Sequence, residues 1–256
     1  MLTLLQTAQE AARIGGRILQ QWQSKFTAKE KSPANLVTEA DLASQEAIHE
    51  FIRMRFPDHK FLGEEGLDQQ SGNSEYRWVI DPLDGTGNYV HRFPYYAVSI
   101  GLEHQGELIV GVIYDPTRDE MFSAMKGSGA LLNGSPLRCS EVEKLSEAMC
   151  MASLPVKTSA QSAAVNRFLK VLTEAQSVQR SGSAALNLCY VASGRVDAFW
   201  STSLMPWDMA AGVLIVREAG GRVTQTGGGD FRLEVPDLLA TNGSALHPAL
   251  SKILSE

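Results

Sequence analysis

Two aspartates, Asp81 and Asp84, stand three residues apart in "WVIDPLDGTGNYVH" (78–91), where an apolar run suited to a buried strand gives way to Gly85-Thr86-Gly87. With the intervening Leu83 carbonyl, they offer the oxygen ligands that a hard divalent cation such as Mg2+ takes. The glycines let the backbone approach an anion closely, and a short helix opened by the next residues would favour phosphate at its N-terminus. Metal oxygens beside phosphate-binding amides are the parts of metal-assisted phosphoryl transfer. Read alone, the pair is also plain turn chemistry, because Asp, Pro and Gly are common turn formers. Two further segments add carboxylates: "FLGEEG" brings Glu64 and Glu65, and "MPWDMAAG" brings Asp208. The two glutamates could equally line a solvated loop, and Asp208 could be a helix cap.

The elements that must position these groups are readable from periodicity. Leu4, Leu5, Ala8, Ala12, Leu19 and Trp22 recur at helical spacing, which predicts an amphipathic first helix. Thr38 and Asp41 form a helix-start signal for a second, with Leu42, Ile48, Phe51 and Ile52 as its apolar face and Pro57 as its stop. Strands are expected at 60–62, 76–80, 95–102, 108–114 and 120–124, separated by turns as in an antiparallel meander. The first aspartate marks the end of its strand, because Pro82 breaks the ladder. Beyond about Asn133 strands and helices alternate: a strand at 148–153, helices over 160–175 and 181–194, a strand at 195–200, a helix from Trp207 to Gly220, and closing strands at 221–226 and 238–242. Two α/β halves, 1–133 and 134–256, are expected to pack tightly in layers as one unit. "TGGGD" (226–230) reads as a turn, since no Lys-Ser/Thr and helix follow it.

Composition narrows the function classes. The 256 residues are 44% hydrophobic and 20% charged, ordinary for a globular chain. The net charge of -6, with no basic run interleaved with aromatics, argues against a nucleic-acid partner. Cys139, Cys150 and Cys189 lack metal or redox spacing and read as reduced buried thiols. His91 has no second imidazole or thiol at ligand spacing and reads as structural or surface. No N-terminal leader pattern is present, and no apolar run approaches the ~20 residues of a membrane span, so a cytoplasmic location is expected.

"GEE", "WVIDPLDGTGNYVHRFPYYAVSIG" and "PWDMAAG...REAGG" occur in that order, with "SPANLVTEAD" and "RSGSAALNLCYVASGRVDAF" between and around them. In these segments, from about residue 30 to 243, the chain resembles the inositol monophosphatase family of Mg2+-dependent, lithium-sensitive phosphatases. The resemblance implies a layered αβαβα sandwich, shared with sugar bisphosphatases and usually assembled as a homodimer. It implies Glu64, Asp81, Asp84, Asp208 and the Leu83 carbonyl as ligands for two or three Mg2+ ions. Glu64 and Thr86, supported by Asp41, match the groups that orient and activate the attacking water. The Gly85 and Thr86 amides match phosphate contacts, and Gly182, Ser183 and Ala184 match contacts to a sugar or cyclitol. The implied activity is hydrolysis of a small phosphate monoester by metal-activated water, inositol 1-phosphate first. A broader sugar or polyol phosphatase, acting also on fructose 1,6-bisphosphate, is the alternative. So is a non-catalytic regulatory binding protein of the same fold.

Two positions depart from the family pattern. Gly87 stands where Thr is frequent. Seven residues before Asp208, where animal inositol monophosphatases carry a glutamate that binds ring hydroxyls, this chain has Ser201.

Overall fold

The computed structural model describes residues 1–32, 35–69 and 74–255. Pro33 and Ala34 of the family-like "SPANLVTEAD" segment, and the terminal Glu256, lie outside them. The chain opens with α1 (Leu2–Trp22), a hairpin of β1 (Ala28–Ser32) and β2 (Asn35–Thr38), and α2 (Glu39–Arg55). Then come β3 (Lys60–Gly63), β4 (Asp68–Gln69), β5 (Tyr76–Asp84), α3 (Thr86–Val90), β6 (Ala97–His104), β7 (Glu107–Asp115), β8 (Glu120–Met125), β9 (Ala130–Leu132) and β10 (Ser135–Pro136). The remainder is β11 (Met149–Ala152), α4 (Ala163–Glu174), β12 (Ser177–Gln179), α5 (Ala184–Ala192), β13 (Ala198–Ser201), α6 (Pro206–Glu218), β14 (Arg222–Thr224), β15 (Leu238–Thr241) and α7 (Leu246–Ser255).

Five layers result. α1 and α2 cover one face of an eight-stranded sheet ordered β10-β9-β8-β7-β6-β5-β3-β4, and α5 and α6 cover the other. A five-stranded sheet ordered β12-β11-β13-β15-β14 lies beneath α5 and α6, and α4 and α7 close its outer face. This is the αβαβα sandwich that the resemblance implied. The first core joins Ala8, Leu19, Ile48 and Ile52 to Trp78 and Ile100. The central core joins Leu188 and Val191 of α5 and Ile215 of α6 to Ile113, Phe122 and Phe199 of the two sheets. Because α6 is sandwiched between sheets, every residue from Met209 to Val216 is buried, and it needs no polar face. The division expected at 133/134 falls in the turn joining β9 to β10.

β5 to β9 form the expected antiparallel meander, but β3 pairs with β5 in parallel, Gly63 opposite Ile80. Two further expectations need correction, and one helix was not expected. β5 does not stop at Asp81; it runs through Pro82 to Asp84, with one extra residue between the pairs Asp81–Ser99 and Asp84–Ala97. This bulge accommodates a proline that cannot donate to the ladder. Leu42 does not face the core of α2; it is 51% exposed, while Ala40, Ile48 and Ile52 are buried. Finally, α7 closes the chain after the last expected strand, its Leu246, Leu250 and Leu254 stacked at four-residue spacing into a third core.

The central helix seats backbone to backbone. Gly101 and Gly111 are cross-strand partners on β6 and β7. A Cβ at Gly111 would lie 2.5 Å from the Ala211 carbonyl oxygen, and one at Gly101 2.7 Å from the Ala210 Cβ. This close approach carries the N-terminus of α6 to the sheet, where the Ser99 hydroxyl donates to the Trp207 carbonyl at 3.3 Å. Gly111→Ala should therefore destabilise the protein by about 1–3 kcal/mol through overpacking, read as a lowered urea midpoint at unchanged slope.

Candidate active site

Three elements bring the carboxylates together. The bulge in β5 turns Asp81 and Asp84 toward a common space, and Asp208 in the first turn of α6 meets them there. One oxygen from each of the three lies within 4.8 Å of the others. The parallel register of β3 on β5 brings Glu64 beside this group: Gly63 pairs with Ile80, and the Glu64 amide donates to the Ile80 carbonyl at 3.3 Å. Gln45 of α2 holds the glutamate loop, donating to the Glu65 carbonyl at 3.0 Å and accepting from the Glu65 amide at 3.2 Å.

Each acid is also held by its own surroundings. Asp81 accepts from the Leu83 amide at 2.9 Å. Asp208 accepts from the Met205 amide at 2.7 Å, so it caps α6 while facing the cluster. Asp84 receives the Ser183 hydroxyl, the Ala185 amide at 2.8 Å and the Ala184 amide at 3.3 Å, which are the opening donors of α5. Ser183 is thus fully buried and engaged with Asp84, and it also caps α5 through the Leu186 amide at 3.2 Å.

A second carboxylate, Asp41, closes the space from α2. One of its oxygens completes the capping box with the Thr38 amide (2.9 Å) and hydroxyl (2.5 Å). Its other oxygen stands 3.2 Å from the Thr86 hydroxyl, which is also 3.2 Å from the Leu83 carbonyl. Asp41 therefore caps its helix and reaches Thr86 at once. Gly85, in the left-handed region at φ 95°, makes the turn between Asp84 and α3, and a Cβ there would meet the Tyr95 carbonyl oxygen at 3.0 Å. Among the described residues nothing lies within 4 Å of where a Cβ at Gly87 would sit, so the family's frequent Thr would fit that space.

Burial raises the carboxyl pKa values at this site, since the interior disfavours the charged form. Asp81 is raised well above its ordinary value by desolvation and then by Glu64, Asp84 and Asp208. Asp208 is raised by desolvation and by Asp84. Asp84 is pushed up to about 6 by desolvation, with the Ser183, Ala185 and Ala184 donors opposing. Asp41 also rises to about 6, from desolvation with smaller contributions from Glu65 and Glu64. Such a set is built for a counter-charge. Its donors are all hard oxygens, which suit a divalent cation such as Mg2+ and not the thiol or imidazole sets of zinc.

A cleft of about 230 Å3 opens from Asp84 and Asp208 between Gly182, Ala184, Ser203 and Arg180. Ser201 is fully buried, its hydroxyl 3.5 Å from that of Ser203 and 3.4 Å from the Ser203 amide; Ser203 lines the cleft. Arg180 and Ser203 were not singled out from the sequence. The only available signal was position: Arg180 stands two residues before Gly182, and Ser203 two after Ser201. His91 is exposed, as expected of a surface residue. The three thiols are free and buried or half-buried; burial raises Cys139 to about 11 and Cys150 to about 12, which leaves them unreactive. Among the described residues, no helix is long and apolar enough to cross a membrane.

Comparison with known proteins agrees with this geometry. Residues 1–256 match the profile of the inositol monophosphatase family. Inositol monophosphatase 2 of Solanum lycopersicum is 42% identical over 253 residues, covering 94% of each chain. Nus factor SuhB of Salmonella typhimurium is 38% identical over 260 residues, covering all of this chain and 97% of that protein. The crystal structure of the extragenic suppressor protein suhB from Bartonella henselae superposes with a TM-score of 0.95 at 36% identity, over 99% of both chains. On sequence, architecture and buried carboxylate cluster together, the chain belongs to the inositol monophosphatase family of Mg2+-dependent phosphate monoester hydrolases.

Proposed function

We propose that the protein hydrolyses inositol 1-phosphate and related cyclitol and sugar phosphates by direct attack of water. The observation that carries this reading is the convergence of Asp81, Asp84 and Asp208 beside the Thr86–Asp41 pair. Glu64, Asp81, Asp84, Asp208 and the Leu83 carbonyl would hold two or three Mg2+ ions. When bound, these lower the pKa of a water and neutralise charge on the phosphoryl oxygens.

The chain's own groups supply orientation and proton handling. The Thr86 hydroxyl has one proton, directed to Asp41 or Leu83, which leaves a lone pair to accept from the attacking water. Asp41 and Glu64 are the carboxylates placed to take the proton released as the new P–O bond forms and the ester P–O bond breaks. The Gly85 and Thr86 amides face the phosphate, and the departing alcohol lies toward Gly182, Ala184 and the rest of the cleft. Ser183, occupied by Asp84, serves the leaving group by fixing that segment.

A broader substrate range is favoured by Ser201, a neutral, buried hydroxyl beside the cleft wall in place of a carboxylate. One relative bears the name Nus factor, which is the ground for a regulatory reading, but a partner surface would not require the buried Asp81 and Asp84 to converge with Asp208. By resemblance to the family, the protein is expected to be a cytoplasmic homodimer.

Phosphate release from inositol 1-phosphate should require Mg2+ and be inhibited by Li+, which competes for hard-oxygen sites. Full activity after exhaustive chelation would sink the reading.

Asp84→Asn should abolish turnover while stabilising the metal-free protein. Because the Asp84 pKa is raised from 3.8 to about 6 on folding, the unfolded chain releases this proton first. Metal-free stability should therefore fall as pH rises from about 4 to 6, and Asp84→Asn should remove part of that slope. Mg2+ should raise the wild-type unfolding temperature by mass action and the variant's less. Unfolding curves at pH 4, 5, 6 and 7, with and without Mg2+, check both.

Ser201→Glu should raise kcat/KM for inositol 1-phosphate relative to fructose 1,6-bisphosphate by roughly ten- to a hundredfold, because a carboxylate accepts ring hydroxyls and repels a second phosphate. An unchanged ratio across one substrate panel would remove Ser201 from the specificity determinants.

A further inference from the structure

A cavity of about 530 Å3 lies at the opposite end of α6 from Asp208. Along the helix axis Asp208 and Arg217, which lines this cavity, stand about 14 Å apart. Four segments wall it: the end of α6, the hairpin joining β6 to β7, the turn joining β8 to β9, and the chain between β14 and β15. They are braced against one another. Glu218 accepts from the Gly127, Ser128 and Gly129 amides at 2.7, 3.0 and 2.8 Å, and Arg77 bridges Glu103 at 2.5 Å to Glu234 at 3.4 Å. The floor is apolar, with Leu214 and Leu233 buried and Leu108 and Phe231 half-buried.

The charges around this floor are unequally engaged. Glu103 and Glu234 face Arg77, Glu107 holds Lys126 at 2.5 Å, and Glu218 is taken up by the three amides. Arg217 and Arg232 line the same cavity, and among the described residues neither guanidinium makes an ion pair or a hydrogen bond. That of Arg217 lies 5.4 Å from the centre of the Phe231 ring. Desolvation lowers the Arg217 pKa, and no carboxylate opposes that shift. Two guanidiniums at the edge of an apolar floor suit one carboxylate, which a guanidinium binds through paired N–H donors. A second negative charge on the ligand would meet the glutamates of the rim.

We infer that this cavity binds a small organic monoanion, a carboxylate with an aliphatic or aromatic body. Arg217 and Arg232 hold its charged end, and its body lies on Leu108, Leu214, Phe231 and Leu233. The volume falls within the roughly 300–1,000 Å3 usual for small-molecule sites. The cavity shares no residue with the acid cleft, so the inference does not rest on the phosphatase reading.

Calorimetric titration of the full chain tests it, with octanoate and phenylbutyrate as probes. Each is set against its alcohol, octanol or phenylbutanol, which keeps the body and removes the charge, and against acetate, which keeps the charge and removes the body. At least one carboxylate should bind about ten- to a hundredfold more tightly than its alcohol, the range for hydrogen bonds to a charged group. It should also bind more tightly than acetate, because burying the body adds hydrophobic free energy. Arg217→Ala and Arg232→Ala should each weaken carboxylate binding toward that of the alcohol and leave the alcohol's affinity unchanged. Arg217→Lys should retain part of the difference, since an ammonium keeps the charge without the fork. Both arginines are exposed, so the variants should unfold at the wild-type temperature; if one does not, the other decides. Binding of neither carboxylate, equal binding of carboxylate and alcohol, or carboxylate affinity unaltered in a natively folded variant would overturn the inference.

Discussion

Mutual repulsion among buried carboxylates is the constraint to which the rest of the structure answers. Asp81 and Asp84 are almost fully removed from water, and Asp208 and Glu64 add charge to the same space. Nothing in a fold's own packing favours such a group, so each acid must be held by something stronger than its wish to separate. Asp84 is held by the first amides of α5, Asp208 by its own helix start, and Asp81 by the strand that carries it. The binding energy of a cation is in this sense stored in advance, because the chain has already met the cost of assembling its ligands.

Capping chemistry and site chemistry are the same bonds seen from two ends. Asp41 closes a capping box on α2 and reaches Thr86; Asp208 closes one on α6 and joins the cluster; Ser183 caps α5 and donates to Asp84. A helix terminus holds a capping side chain in place through its otherwise unpaired amides, which need that partner. Site residues placed this way inherit the rigidity of the helices whose ends they complete.

This double use explains what was legible in the sequence. The start of α2 was readable because Thr38 and Asp41 carry a local signal, and α6 because its apolar run begins at "PWD" and ends at Gly220. Stacked α/β layers were legible from the run of elements, whereas the αβαβα order and the family followed from the long motifs. The continuation of β5 past Asp81 was not readable: Pro82 is a strand breaker by local rule, and only the partner strand β6 shows that a bulge absorbs it. Leu42 looked like part of an apolar stripe, yet which side of α2 meets the sheet is decided by neighbours far along the chain. The leucine spacing of α7 was present and passed over. Arg180 carried no motif; its place on the cleft wall is a property of the folded chain alone.

The central helical layer has a consequence for how the chain is made. β6 and β7 present Gly101 and Gly111 to a helix that lies about a hundred residues further on, and α5 and α6 are apolar toward both sheets. During synthesis the first sheet therefore emerges with one face finished by α1 and α2 and the other bare until residue 218 has left the ribosome. Non-local closure of this kind is slow and exposes apolar surface meanwhile. The acid cluster shares that timing, since Asp208 arrives with α6: the cluster is completed by one of the last acts of folding, and a chain truncated before it has neither its central core nor its full set of acids.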